Sequence, residues 1–160
     1  MIKTRLEWVE YFLAMAKMCA HQATCMRRRY GAVVVGKDKT IISTGYNGAP
    51  SGQCDCLQNN KCWRRENNVP SGSMYEKCLS VHAEMNALIQ AGKMANTGTL
   101  YLCGVDADNG DYINAKPCFI CAKLIVNAGI ELVVCRTEKE GFVFYNPLDI
   151  YKDYSEKIGL

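Results

Sequence analysis

The sequence predicts an α/β sandwich, with helices packed against a mostly central sheet. Three observations support this. Short β-branched runs alternate with helical apolar patterns along the chain, an amphipathic helix precedes the first of them, and no repeat, low-complexity tract or linker interrupts the series. The length, 160 residues, fits a single domain able to bury roughly 70% of its unfolded surface.

The elements follow in order. Leu6, Val9, Leu13, Ala16 and Ala20 recur at three- and four-residue intervals and predict a helix of about five turns, with Trp8, Phe12 and Met15 as core packing. Gly31–Val35 and Thr40–Thr44 are β-branched runs separated by Gly36-Lys37-Asp38-Lys39, which predicts a hairpin. The unbroken Val33-Val34-Val35 run predicts a strand covered on both faces. Gly45-Tyr46-Asn47-Gly48-Ala49-Pro50-Ser51-Gly52 then leaves the second strand as a tight, irregular backbone. Residues 53–78 form a polar, Cys-rich insertion without periodicity, and a loop of that length needs its own organiser or a function. A helix ending at Ala91-Gly92, a strand over Thr99–Cys103 and an acidic loop over Val105–Lys116 come next. After them we expect a helix stopping at Gly129, a strand over Ile130–Cys135, a short strand over Phe142–Tyr145 and a surface helix over Leu148–Ile158.

Composition narrows the function classes. A net charge of +3 is too small to argue for nucleic acid or a membrane surface, and 49% hydrophobic residues is ordinary for a globular chain. The first residues have no continuous apolar core and no small-residue cleavage site, so a secretory leader is not expected. No apolar run approaches a membrane span. The expected location is cytoplasmic, where ten clustered cysteines point to metal binding rather than disulfides.

The chemistry concentrates in two stretches. His82, Cys118 and Cys121 offer one nitrogen and two sulfur ligands, a set suited to Zn2+ with a fourth tetrahedral position left open. Glu84 lies two residues beyond His82 and reaches the same space without being a ligand. Pro117 fits the first turn of a helix, so both ligand groups are expected at helix N-termini, where partial positive charge favours thiolate. The competing reading is a closed structural zinc site completed by another Cys. Two features oppose it: each half of the motif leads into a helical apolar pattern, and a closed site has no use for the neighbouring carboxylate.

The arrangement His82-Ala83-Glu84 followed by Pro117-Cys118-Phe119-Ile120-Cys121 is the signature of zinc nucleobase deaminases. With Gly31–Val35 and Gly45–Gly52, it makes the chain resemble the cytidine and deoxycytidylate deaminase superfamily over about residues 5–135, the deoxycytidylate (dCMP) branch most closely. The resemblance implies a cytidine deaminase-like fold: a three-layer α/β sandwich, its mixed five-stranded central sheet flanked by helices. It implies hydrolytic deamination of dCMP to dUMP in pyrimidine nucleotide metabolism, with Glu84 moving protons and no organic cofactor. It also implies a homo-oligomer, often a hexamer, and dCTP and dTTP as effectors. By the same likeness the Ala83 amide holds the pyrimidine O2 and Asn47 contacts the sugar, although Asn also tolerates left-handed turn geometry. A nucleotide phosphate needs a cation. Arg27, beside Arg28 and Arg29, is the candidate, and a solvated surface face explains that run equally well.

Some members of the branch hold a second, structural zinc in the loop before His-Ala-Glu. Cys25, Cys56 and Cys78 match the positions of those extra ligands, with Cys62 as a fourth. Cys54 in place of Cys56, or simply packed thiols, are the alternatives. Cys19, Cys103 and Cys135 lie in apolar contexts and read as packed. The chain departs from the branch at residues 103–116, an insertion with three aspartates that a turn around Asp108-Asn109-Gly110 would fold back on itself. That segment borders the substrate, so dCTP, a nucleoside or tRNA adenosine remain alternative substrates. A non-catalytic zinc module is the alternative to an enzyme.

Overall fold

The computed structural model describes residues 4–159. Helix α1 spans Trp8–Ala20, β1 Arg28–Val35, β2 Ile41–Tyr46, α2 Trp63–Glu66 and α3 Ala83–Ala91. They are followed by β3 over Thr99–Asp106, β4 Tyr112–Ile113, α4 Phe119–Asn127, β5 Leu132–Arg136, β6 Phe142–Tyr145 and α5 Pro147–Lys157. Five strands run in the order β2-β1-β3-β5-β6, and the two-residue β4 pairs with β3 beside that path. Only β3 and β5 are parallel, as a strand–helix–strand crossover through α4 requires. The other pairs are antiparallel, so the sheet is mixed.

Strand β1 shows why the sheet lies in the middle. Ala32 and Val34 point into a core with Ala87 of α3, Ile125 of α4 and Ile150 of α5. Val33 and Val35 point the other way, onto Phe12, Leu13 and Ala16 of α1. An unbroken valine run therefore feeds two cores, one on each face. Three layers result: α1, the sheet, and the helices carrying the predicted ligands.

Two glycines let these layers approach. A Cβ at Gly31 would collide with the Ala16 carbonyl and the Ala20 amide of α1, and one at Gly45 with the Ala83 carbonyl and the Ala87 amide of α3. Strand β2 can thus press its backbone against the first turn of α3. The Ser43 hydroxyl donates to the Ala87 carbonyl at 2.7 Å across the same contact.

Some boundaries differ from expectation. Helix α1 begins at Trp8 and has 13 residues, fewer than five turns; Leu6 precedes it and is exposed. Strand β3 runs on to Asp106 instead of stopping at Cys103, because Gly104 and Val105 pair with Ile113 and Tyr112. The turn between β3 and β4 is a local aspartate device. Asp106 Oδ1 accepts from the amides of Asp108 and Asn109, and Gly110 adopts φ 77°. The insertion is therefore a compact hairpin, and it returns the chain to the sheet before Cys118. Pro117 lies outside α4, one residue before the Cys118 N-cap, not in the first turn. No described helix is long and apolar enough to cross a membrane.

Candidate active site

Two helix N-termini bring the chemistry together. His82 is the N-cap of α3 and Cys118 the N-cap of α4; neither cap uses its side chain to satisfy the helix, so both face outward to a common point. Cys118 Sγ lies 3.5 Å and Cys121 Sγ 3.4 Å from His82 Nδ1. Tetrahedral zinc with Zn–N near 2.05 Å and Zn–S near 2.3 Å separates its nitrogen and sulfur ligands by about 3.6 Å. Both sulfurs therefore stand at nearly the separation from the imidazole nitrogen that zinc needs.

Among the described residues, His82, Cys118 and Cys121 are the one group of three or more His, Cys, Asp or Glu side chains with ligand atoms within 4.8 Å of one another. No fourth such side chain joins them, which leaves one coordination position for water or substrate. The Cys118 thiol is held down to about 4, first by the bond from Cys121 and then by His82, while that bond and burial push Cys121 up. A thiolate is the form a metal takes.

Glu84, on the first turn of α3, is 5% exposed. Burial pushes its carboxyl up, against the opposing influence of His82, and the Cys121 thiol bonds to it. It therefore faces the ligand group without belonging to it. Ala83 is fully buried at the start of α3 and borders the same cavity.

The loop after β2 fixes this helix start in place. Gly48 and Val81 exchange amide–carbonyl bonds at 3.2 and 2.8 Å, anchoring the residue before His82. Asn47 is buried; its Oδ1 accepts from the Tyr30 amide at 2.7 Å and its Nδ2 donates to the Arg28 carbonyl at 3.0 Å. Those bonds fasten the loop to β1 and leave one Nδ2 hydrogen at the cavity wall.

A cavity of about 90 Å³ runs from His82 and Glu84 past Asn47 to Cys25, Cys56, Cys62 and Cys78. A wider one of about 540 Å³ adjoins it, sharing Arg28, Tyr30, Ser71, Tyr75, Lys116 and Cys118. The two cavities thus share part of one wall. The four cysteines predicted as a second metal site thus border one cavity. The Cys56 thiol is pushed up to about 11, first by burial and then by the charges of Cys62, Cys25 and Cys78. No three of these sulfurs lie within 4.8 Å of one another. Cys54 is exposed and borders neither cavity.

Arg27 borders the cavity, but its Nη1 donates to the Val69 carbonyl at 3.2 Å. Sequence reasoning did not single out Arg64, Tyr75 or Lys116. The Tyr75 ring meets the His82 ring edge-on at 4.8 Å between centroids. The Arg64 guanidinium lies over the Tyr75 ring, 4.7 Å from its centroid. Both residues come from the Cys-rich insertion, which has no periodic pattern to announce them.

A family model, the cytidine and deoxycytidylate deaminase zinc-binding region, matches residues 6–137. A deoxycytidylate deaminase of Mycobacterium phage D29 is 39% identical over 136 residues, covering 82% of this chain and 95% of that protein. The human deoxycytidylate deaminase is 34% identical over 136 residues, covering 84% of this chain and 67% of that protein. Among solved structures, the dCMP deaminase of cyanophage S-TIM5 in apo form superposes with a TM-score of 0.61 at 25% identity, covering 94% of both chains. The chain belongs to the cytidine and deoxycytidylate deaminase zinc-binding family.

Proposed function

We propose that this protein catalyses the zinc-dependent hydrolysis of dCMP to dUMP and ammonia. The observation that carries the reading is the open ligand triad of His82, Cys118 and Cys121 with the buried Glu84 facing it. The relatives named deoxycytidylate deaminase direct it to dCMP rather than to another cytosine compound.

His82 Nδ1 and the sulfurs of Cys118 and Cys121 would hold the metal. Zinc in such a site acts as a Lewis acid and lowers the pKa of a coordinated water to about 7. Glu84 accepts a proton from the attacking water and delivers it to pyrimidine N3. With the C4–O bond formed, it passes the second to the amine, and the C4–N bond breaks as C4 becomes a carbonyl. The two protons of the water end on N3 of uracil and on ammonia. Burial suits Glu84 to this work, because a carboxyl pushed up from its ordinary value gives and takes protons nearer neutrality. The Ala83 amide, at a helix N-terminus with positive partial charge, holds the pyrimidine O2, and the free Nδ2 hydrogen of Asn47 contacts the sugar.

Ammonia release from dCMP, dCTP, deoxycytidine and cytosine tests the reading. We expect dCMP to be turned over fastest; no turnover of dCMP would overturn the substrate assignment.

A second, structural zinc on Cys25, Cys56, Cys62 and Cys78 goes with this reading. The four thiols border one cavity, burial and the other three cysteines push the Cys56 thiol up, and binding would draw the sulfurs to about 3.8 Å apart. Metal analysis should then find two zincs per chain and one in Cys78→Ser. A homo-oligomer, with a hexamer as the specific expectation, is checked by sedimentation. The effector roles of dCTP and dTTP are checked by adding each to the dCMP assay.

A further inference from the structure

Arg64 is 9% exposed and carries a full charge, yet none of the ion pairs among the described residues includes it. Its bonds go to neutral groups only. Nη2 donates to the carbonyls of Pro70 and Ser73, both at 2.9 Å, and Nε is buried without an acceptor. Nη1 has no protein partner among the described residues and is not shut off from open space. A buried cation without a counter-charge is costly and is kept where an anion arrives to offset it.

The location says which anion. Arg64 borders the cavity that begins at His82 and Glu84, and it stands one aromatic ring away from His82, over Tyr75. Two more cations, Arg28 and Lys116, border both cavities. Arg28 is bonded to the neutral Ser71 hydroxyl at 2.9 Å, while Lys116 is already paired with Asp153 at 3.0 Å. A planar guanidinium suits phosphate oxygens through paired N–H bonds.

We propose that Arg64, not Arg27, receives the 5′-phosphate of the nucleotide, with Arg28 assisting from the shared wall. This inference rests on the deaminase reading. It gives the Cys-rich insertion a direct part in substrate choice: the loop delivers the residue that tells a nucleotide from a nucleoside. Tyr75 is the spacer that sets the distance from the phosphate to the reacting base.

Calorimetric titration of the zinc-loaded protein with dUMP and with deoxyuridine tests it, since neither needs turnover. In the native protein dUMP should bind more tightly than deoxyuridine. In Arg64→Met that preference should fall at least tenfold, whereas Arg64→Lys, which keeps the charge, should retain part of it. Arg27→Met should change the preference less than Arg64→Met does. An Arg64→Met protein that keeps the native preference overturns the proposal and leaves the deaminase reading standing. Loss of one zinc from Arg64→Met with the preference intact also overturns it, by assigning the charge to the thiolate cluster. A native protein that binds neither ligand removes the deaminase reading and this inference with it.

Discussion

The Tyr154 hydroxyl donates to the Pro117 carbonyl at 3.1 Å, so the last helix is bonded to the residue that immediately precedes the proposed ligand Cys118. Phe119, just after that ligand, stacks on Tyr154 at 5.5 Å, and Lys116, just before Pro117, pairs with Asp153. Helix α5 therefore braces the turn that presents Cys118 to His82, although its sequence carries no chemical motif. Tyr154→Phe keeps the stacking and removes the bond. We expect a loss of about 1 kcal/mol, hence a Tm lower by about 2–4 °C, and faster zinc release to a chelator. Thermal melts and chelator competition measure both.

Gly45 is the second lever on the metal. A methyl group there meets the backbone of α3 at Ala83 and Ala87, one residue from His82, and backbone cannot swing aside as a side chain can. Gly45→Ala should destabilise the fold by about 1–3 kcal/mol and weaken zinc binding, because relief requires α3 to move off the sheet. Urea unfolding with and without a chelator separates the two effects.

Arg136 fastens α1 to the sheet. Its guanidinium is bonded to both carboxylate oxygens of Glu10, at 2.7 and 3.2 Å, and to the Glu140 carbonyl at 2.7 Å, while its own carbonyl accepts the Ala115 amide. Glu10 is partly exposed, so solvent screens the pair. Glu10→Ala should cost about 1–2 kcal/mol in urea unfolding, mostly by leaving the Arg136 side chain short of acceptors.

Asp38, in the turn between β1 and β2, accepts bonds from the amide and hydroxyl of Thr40, and these lower its carboxyl from 3.8. A depressed folded pKa means the ionised form favours the native state. The contribution is complete above the unfolded pKa and is lost as pH falls through the folded one. Carboxyl NMR should place Asp38 below 3.8 in the native protein and higher in Thr40→Ala.

The legible parts of this molecule are those where a periodic pattern or a fixed spacing reports one environment. Val33–Val35 announced a strand between two cores, and the types and spacing of His82, Cys118 and Cys121 announced the cluster that the fold assembles. The Asp108-Asn109-Gly110 turn was readable because Gly110, lacking a Cβ, takes the positive φ the turn needs. Arg64 and Tyr75 were hidden, since the insertion is held by side-chain bonds to carbonyls rather than by an apolar face. The role of α5 was hidden for a related reason: one hydroxyl reaching a carbonyl 37 residues away leaves no trace in a local window.

The most direct test of the central claim pairs metal analysis with ammonia release in Glu84→Gln. The amide has nearly the shape of the acid and is not a ligand, so zinc on His82, Cys118 and Cys121 should remain at the native content. Ammonia release from dCMP should fall by orders of magnitude. Native rates in Glu84→Gln, or a zinc content left unchanged by replacing His82 and Cys118 together, would contradict the account.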